Sequence, residues 1–208
     1  MKVVQIATGV MQANCFLVYE EGSRSAFIVD PGAQAEKILA HIKHYEIEDV
    51  THIFLTHGHF DHIGALAQLK EATGAKVCIH ERDLSMLNSQ EDNLAAFSGV
   101  SIKTCDADIV LKDGDIIEAA GMDVRVLHTP GHSGGSVCYI VDNVMFSGDT
   151  FFYMYCGRTD FPGSDPQEYH HSLNVILRSQ KTNYHVYTGH GVKTTLFGEF
   201  ENNPYFSR

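Results

Sequence analysis

The chain is short of cationic residues, of paired cysteines and of long apolar runs. Lysine and arginine number 15 against 26 aspartates and glutamates, a formal net charge of −11. That deficit disfavours a general binder of nucleic-acid phosphates. The 5 cysteines are odd in number and contain no C-x-x-C pair, so a structural zinc knuckle is a poor match. Cys15, Cys78 and Cys138 sit inside apolar, strand-like runs and read as small buried hydrophobes. Cys105 carries no signal. Cys156 lies in a glycine-flanked loop and reads as an exposed position, with nothing beside it to mark a nucleophile. The longest apolar runs, such as Val137-Cys138-Tyr139-Ile140-Val141, are strand-sized and far short of a membrane span. The start, Met1-Lys2-Val3-Val4-Gln5-Ile6-Ala7, lacks a signal-peptide pattern and reads as a strand, so a soluble cytoplasmic protein is expected. No low-complexity linker, charge block or internal repeat divides the 208 residues, and one domain over 1–208 is expected.

What is present is a succession of strands, amphipathic helices and turn signals. Asn14-Cys15-Phe16-Leu17-Val18-Tyr19 and Ser25-Ala26-Phe27-Ile28-Val29-Asp30 flank Glu21-Gly22-Ser23-Arg24 as a hairpin. Residues 35–45 have helical spacing at Ile38, Leu39 and Ile42, and 50–56 reads as a buried strand. Helical spacing resumes at Ile63, Leu66 and Leu69, with Gly74 as its stop. Residues 83–100 are ambiguous and read as a mobile surface insertion. Further strands are expected at 109–111 and 116–117, flanking the turn Lys112-Asp113-Gly114-Asp115, and at 122–127, 136–141, 144–146 and 186–187. Asp165-Pro166-Gln167-Glu168 opens a helix with an N-cap carboxylate, proline at the first position and a glutamate to complete a capping box. Its apolar stripe is Tyr169, Leu173, Ile176 and Leu177.

Against this background one constellation stands out. Thr56-His57-Gly58-His59-Phe60-Asp61-His62 packs four candidate ligands into six residues. Others arrive singly beside glycine: His132 in Pro130-Gly131-His132, Asp149 in Gly148-Asp149-Thr150, and His190 in Gly189-His190-Gly191. Glycine neighbours allow close backbone approach. Imidazole and carboxylate suit zinc, iron or manganese, and no thiolate joins the cluster, which points to hydrolytic or oxidative metal chemistry. In His57-x-His59 the two imidazoles can point to one side of a strand end and chelate a single ion. Seven ligands fit two ions about 3.5–4 Å apart that share one carboxylate. The remaining histidines, His41, His44, His52, His80, His128, His170, His171 and His185, read as surface or satisfied core residues. Two divalent ions, set against two aspartates and a hydroxide, leave about one net positive charge, so an anionic substrate is compatible with an acidic chain.

The motif His57-x-His59-x-Asp61-His62, followed in order by His132, Asp149 and His190, resembles the metallo-β-lactamase superfamily over nearly the whole chain. Val29-Asp30-Pro31-Gly32 matches the aspartate–glycine turn that precedes the metal motif there. The resemblance is nearest to short bacterial glyoxalase II-like (hydroxyacylglutathione) hydrolases, through Phe146-Ser147-Gly148-Asp149-Thr150-Phe151-Phe152, Cys156-Gly157-Arg158-Thr159-Asp160 and Gly189-His190-Gly191-Val192-Lys193-Thr194-Thr195. It implies an α/β fold, a four-layer αβ/βα sandwich. It assigns His57, His59 and His132 to one metal, Asp61, His62 and His190 to a second, and Asp149 to both, with Asp30 in a supporting role. Two divalent ions are implied, zinc first, with iron or manganese as alternatives. The implied reaction is thioester hydrolysis by a metal-bound hydroxide, oriented by Asp61 as a catalytic group, on S-acylglutathione or another small thioester or ester.

The chain departs from full-length glyoxalase II in ending about where the metal domain does, without the helical domain that grips glutathione. Arg158 stands where that family has a lysine, and is expected to hold a substrate carboxylate. The stretch Cys156-Gly157-Arg158-Thr159-Asp160-Phe161 also resembles persulfide dioxygenases that use one iron, which is the alternative reading. A lactone, phosphodiester or lactam hydrolase is the other.

Overall fold

The computed structural model describes residues 1–206. The chain opens with β1 (Lys2–Thr8), β2 (Ala13–Tyr19) and β3 (Ser25–Val29), paired antiparallel, with β2 and β3 forming the expected hairpin. α1 (Ala35–His44), β4 (Asp49–Phe54), α2 (Phe60–Ile63), α3 (Leu66–Thr73) and β5 (Lys76–His80) follow. A 3-10 segment (Glu81–Leu87) and α4 (Ala95–Ser98) then lead to β6 (Ile109–Leu111). These strands make one sheet in the order β1-β2-β3-β4-β5-β6, parallel from β3 to β6. β7 (Ile116–Ala119), β8 (Met122–His128), β9 (Val137–Val141) and β10 (Val144–Gly148) begin the second half, and β11 (Phe151–Phe152) and β12 (Tyr155–Cys156) form a small separate hairpin. α5 (Pro166–His171) passes into a π turn and a 3-10 turn before β13 (His185–Thr188), β14 (Thr194–Thr195) and α6 (Leu196–Asn202). The second sheet runs β14-β13-β10-β9-β8-β7.

Period-2 alternation explains why the strands are apolar throughout. On β2, Phe16 and Val18 point between the sheets while Cys15 and Leu17 face α1 and α3. On β9, Val137, Tyr139 and Val141 point between the sheets, and Cys138 and Ile140 face α5 and its continuation. Sheets covered on both faces leave no polar side to alternate with. Three apolar clusters therefore stack as helix, sheet, sheet and helix, which is the expected αβ/βα sandwich. Cys15, Cys78 and Cys138 each belong to one of the three clusters, as small buried hydrophobes.

Four local readings are corrected. Residues 83–100 are not a loose insertion: Leu87 and Ala95 join the core, and Asp83 and Asn93 are each only 1% exposed. The strands flanking Lys112–Asp115 do not pair with each other, because β6 ends the first sheet and β7 begins the edge of the second. Asp165 caps α5 through the N–H groups of Gln167 and Glu168, but Glu168 reaches away from the cap to take both arms of Arg82, at 3.0 and 2.9 Å. Cys156 is buried rather than exposed. No helix among the described residues is long and apolar enough to cross a membrane.

The two sheets are also joined by hydrogen bonds at the end where the candidate ligands lie. Val137 N donates to Thr56 O at 2.9 Å, and the buried Tyr139 hydroxyl donates to Leu55 O at 2.6 Å. Tyr139→Phe leaves the Leu55 carbonyl buried without that donor. It is expected to cost about 1–3 kcal/mol in urea unfolding, with the slope of the transition unchanged.

Candidate metal centre

The strand ends bring the candidate ligands to one edge of the sandwich. His57 and His59 follow β4, and Asp61 and His62 lie on α2. His132 sits between β8 and β9, Asp149 just past β10, and His190 just past β13. An antiparallel bridge between Ala13 and His190, with Asn14 N donating to Gly189 O at 2.8 Å, ties the last of these loops back to β2 of the opposite sheet.

All seven groups expected from the motif converge. Ligand atoms of His57, His59 and His132 lie within 4.8 Å of one another, as do those of Asp61, His62 and His190. A third set, His57, His62 and Asp149, overlaps the other two. Asp149 reaches both sides: its Oδ1 is 3.4 Å from His62 Nε2, and its Oδ2 is 3.6 Å from the Nε2 atoms of both His132 and His190. Asp61 Oδ2 is 3.3 Å from His190 Nε2.

The outer nitrogens account for how the rings are aimed. His62 Nδ1 donates to Asp30 Oδ2 (3.0 Å), His132 Nδ1 to the Arg158 carbonyl (2.7 Å) and His190 Nδ1 to the Met11 carbonyl (3.2 Å). His57 Nδ1 donates to Thr56 Oγ1 (3.1 Å), whose own proton goes to Asp30 Oδ2 (2.6 Å). With Nδ1 carrying the proton, each Nε2 is left with a lone pair directed inward. Asp30 thus serves His62 directly and His57 through Thr56, the supporting role expected of it. His59 differs: its Nδ1 lies 3.0 Å from His132 Nε2.

The donor set fits cations. His57 Nε2, His62 Nε2 and Asp149 Oδ1 are buried without a hydrogen-bond partner among the described residues. Orphaned buried polar atoms of this kind each cost about 1–3 kcal/mol unless something fills the space between them. Burial, followed by the crowding of neighbouring imidazoles, holds His57 well below the usual histidine range. Burial and His132 bring His59 down to about 3. Both are therefore neutral and ready to donate lone pairs. Burial would raise Asp149, but His62, His132 and His190 outweigh it and hold the carboxyl well below the usual range. Burial would likewise lower His62, but Asp149 and Asp61 outweigh it and raise that ring. The carboxylates are ionised, so the cluster carries negative charge suited to a cation.

Two kinds of support carried no motif. One is main-chain: the carbonyls of Arg158 and Met11 could not be assigned from residue type. The other is Asp83, whose carboxylate accepts from Gly58 N (3.1 Å), Ser133 Oγ (2.6 Å) and Gly135 N (2.6 Å). It bolts the His57–His59 loop to the His132 loop. Burial pushes its pKa up against those three donors. Asn93, on the same segment, accepts from Phe60 N at 2.8 Å through its main-chain carbonyl and so fixes the start of α2. The Arg158 side chain lies at the cavity edge with its guanidinium on Asp160, at 2.8 and 2.7 Å, and over the Phe161 ring at 4.3 Å.

Asp83→Ala removes the bolt and leaves every candidate ligand in place. Metal retention during dialysis against a chelator is expected to fall by about 10–100-fold in affinity, as for other groups that orient ligands from behind. Retention equal to that of the parent protein would reduce Asp83 to a purely structural role.

Comparison with known proteins agrees with this geometry. A model of the metallo-β-lactamase superfamily matches residues 8–190, a span that contains every group of the cluster. Hydroxyacylglutathione hydrolase GloC of Haemophilus influenzae is 31% identical over 211 residues, covering 100% of this chain and 99% of that protein. Among solved structures, the B3 metallo-β-lactamase BLEG-1 is similar with a TM-score of 0.92 at 33% identity, covering 100% of both chains. TTHA1623 in a di-iron-bound form gives a TM-score of 0.84 at 35% identity, covering 98% of this chain and 100% of that one. With its family model, its full-length relatives and its convergent histidine–aspartate cluster, the chain belongs to the metallo-β-lactamase superfamily of metal-dependent hydrolases.

Proposed function

We propose that this protein hydrolyses a small-thiol thioester, an S-acylglutathione or a related compound. Two divalent ions would be held by His57, His59 and His132 and by Asp61, His62 and His190, with Asp149 shared between them. Zinc is the first expectation for both, and the di-iron form of TTHA1623 favours iron as the alternative. When bound, such ions supply Lewis acidity and a water that ionises near neutral pH. Asp61, held ionised because His62 and His190 outweigh the effect of its burial, presents a lone pair to orient the attacking water.

The observation that carries the thioester reading is the state of the protic side chains around the cluster. Apart from the seven groups, the cavity lining is mainly apolar, and its protic side chains are Tyr155, Cys156 and Arg158. The Arg158 guanidinium is on Asp160, burial pushes the Cys156 thiol up, and Tyr155 is 56% exposed. An amine leaving group needs a proton from such a donor, whereas a thiol with a pKa of about 8.5 departs as thiolate. The likeness to BLEG-1 supports lactam hydrolysis as the second reading.

Metal content after purification from unsupplemented medium is expected to approach two per chain. Asp149→Ala should deplete both positions, whereas His190→Ala should deplete mainly one. Full metal content in Asp149→Ala would refute the shared carboxylate. On one preparation loaded with zinc or with iron, thioester cleavage is expected to outpace cleavage of a β-lactam. If a substrate carboxylate displaces Asp160 from the Arg158 guanidinium, Arg158→Ala should raise KM for a carboxylate-bearing thioester more than it lowers kcat, since such a contact is the same in ground and transition states. An unchanged KM leaves Arg158 with Asp160. Oxygen uptake with glutathione persulfide by the iron form, with no thioester cleavage by either form, would replace the hydrolase with a dioxygenase.

A further inference from the structure

A groove of about 430 Å³ adjoins the metal cavity, lined by Met11, Phe60, Leu94, Phe97, Phe161 and Pro162 together with the polar Ser98 and Arg158. It is continuous with that cavity: Met11, Phe60, Leu94 and Phe161 line both. Phe161 turns its edge to His59 at 5.7 Å and to His132 at 6.2 Å, so the apolar wall starts against the cluster itself. Phe97 ends the wall, 74% exposed on α4, and Met11 is 54% exposed. The backbone that carries Phe97 is nevertheless anchored. α4 is anchored beneath it by Ala95 in the core, whose N–H goes to the side chain of the buried Asn93 at 3.0 Å.

Large apolar side chains held out in a concave run mark a binding site rather than scatter on a surface, and the volume is that of a small-molecule site. Arg158 is the one lysine or arginine among the residues lining either cavity, and Asp160 already holds it. The groove therefore offers methylene-sized contacts and almost no charge. We propose that it receives an apolar acyl arm of the substrate, several methylenes long, so that the preferred substrate is a medium-chain acyl thioester rather than a short polar one. This rests on the hydrolase reading above and adds the substrate class.

The test is a series of N-acetylcysteamine thioesters from acetyl to octanoyl. The value of kcat/KM is expected to rise about fourfold per buried methylene and then level off. Phe97→Ser should lower the octanoyl value by about tenfold and leave the acetyl value within about twofold. Val100→Ser alters the neighbouring cavity, which Val100 lines with Met11 and Phe60, and should leave the whole series unchanged. In parallel, carba analogues with CH₂ in place of sulfur are titrated calorimetrically into the metal-loaded protein, so that binding is read whether or not turnover occurs. Their Kd should fall with chain length in the parent protein and much less in Phe97→Ser. Turnover without any length dependence, or flattening by Val100→Ser in place of Phe97→Ser, overturns the groove assignment and leaves the hydrolase intact. Length-dependent binding with no turnover of any thioester sinks the hydrolase reading and keeps the groove. A change in oligomeric mass caused by Phe97→Ser, with both series unaltered, gives the face to a second copy of the chain and refutes the proposal.

Discussion

Four imidazoles can present bare nitrogens to one small volume because their other nitrogens are already donating. Thr56, Asp30 and the carbonyls of Arg158 and Met11 take those protons and thereby set both the tautomer and the plane of each ring. A ring free to rotate would relieve the crowding that leaves His57 and His62 with centroids 4.2 Å apart. Two of the four acceptors are main-chain atoms, so the aim of His132 and His190 is a property of the backbone path. The rest of the fold serves to keep those paths in register.

That requirement explains the closeness of the loops. A Cβ on Gly157 would stand 2.0 Å from the Asp149 carbonyl, and one on Gly189 would stand 2.2 Å from Asp149 Oδ1. Both positions admit only glycine without moving the carboxylate that spans the two ligand sets. The loops come from different sheets, so the sheets themselves must not slide. The cross-sheet bond from Val137 N to Thr56 O and the pairing of Asn14 with Gly189 lie directly behind the cluster. Apolar packing supplies most of the stability, but it is non-directional. Directional bonds at this edge fix what packing leaves free.

The seven inward groups and most of the strands that carry them were legible in the sequence, because each group is a side chain of distinctive chemistry at a strand end. The strands were legible because burial on both faces makes them apolar without interruption, as on β2 and β9. What escaped was whatever a residue's type does not reveal. The carbonyls of Met11 and Arg158 are acceptors in every residue. Asp83, in Glu81-Arg82-Asp83-Leu84, looks like an exposed helical acid, and only the folded chain turns it toward three donors. Glu168 was misread for the matching reason: the cap position admits it, but Arg82 offers two hydrogen bonds in place of one. Ile109–Leu111 and Ile116–Ala119 pair with different sheets because local turn chemistry is silent about which partner lies further along the chain.

Residues 81–98 connect these observations. Through Asp83 the segment holds the two histidine loops together, through Asn93 it sets the start of α2, and through Leu94 and Phe97 it walls the groove. Support for the metal cluster and recognition of substrate thus share one piece of chain. The supporting contacts use buried polar atoms that tolerate little change, because each leaves an unsatisfied partner behind. Of the two groove contacts Leu94 is buried, whereas Phe97 is exposed, and its replacement changes the area offered to a ligand and little else. The segment can therefore vary in the substrates it admits while its hold on the cluster stays constant. On the groove proposal, specificity would be set beside the candidate metal centre, at positions a few residues from the bonds that maintain it.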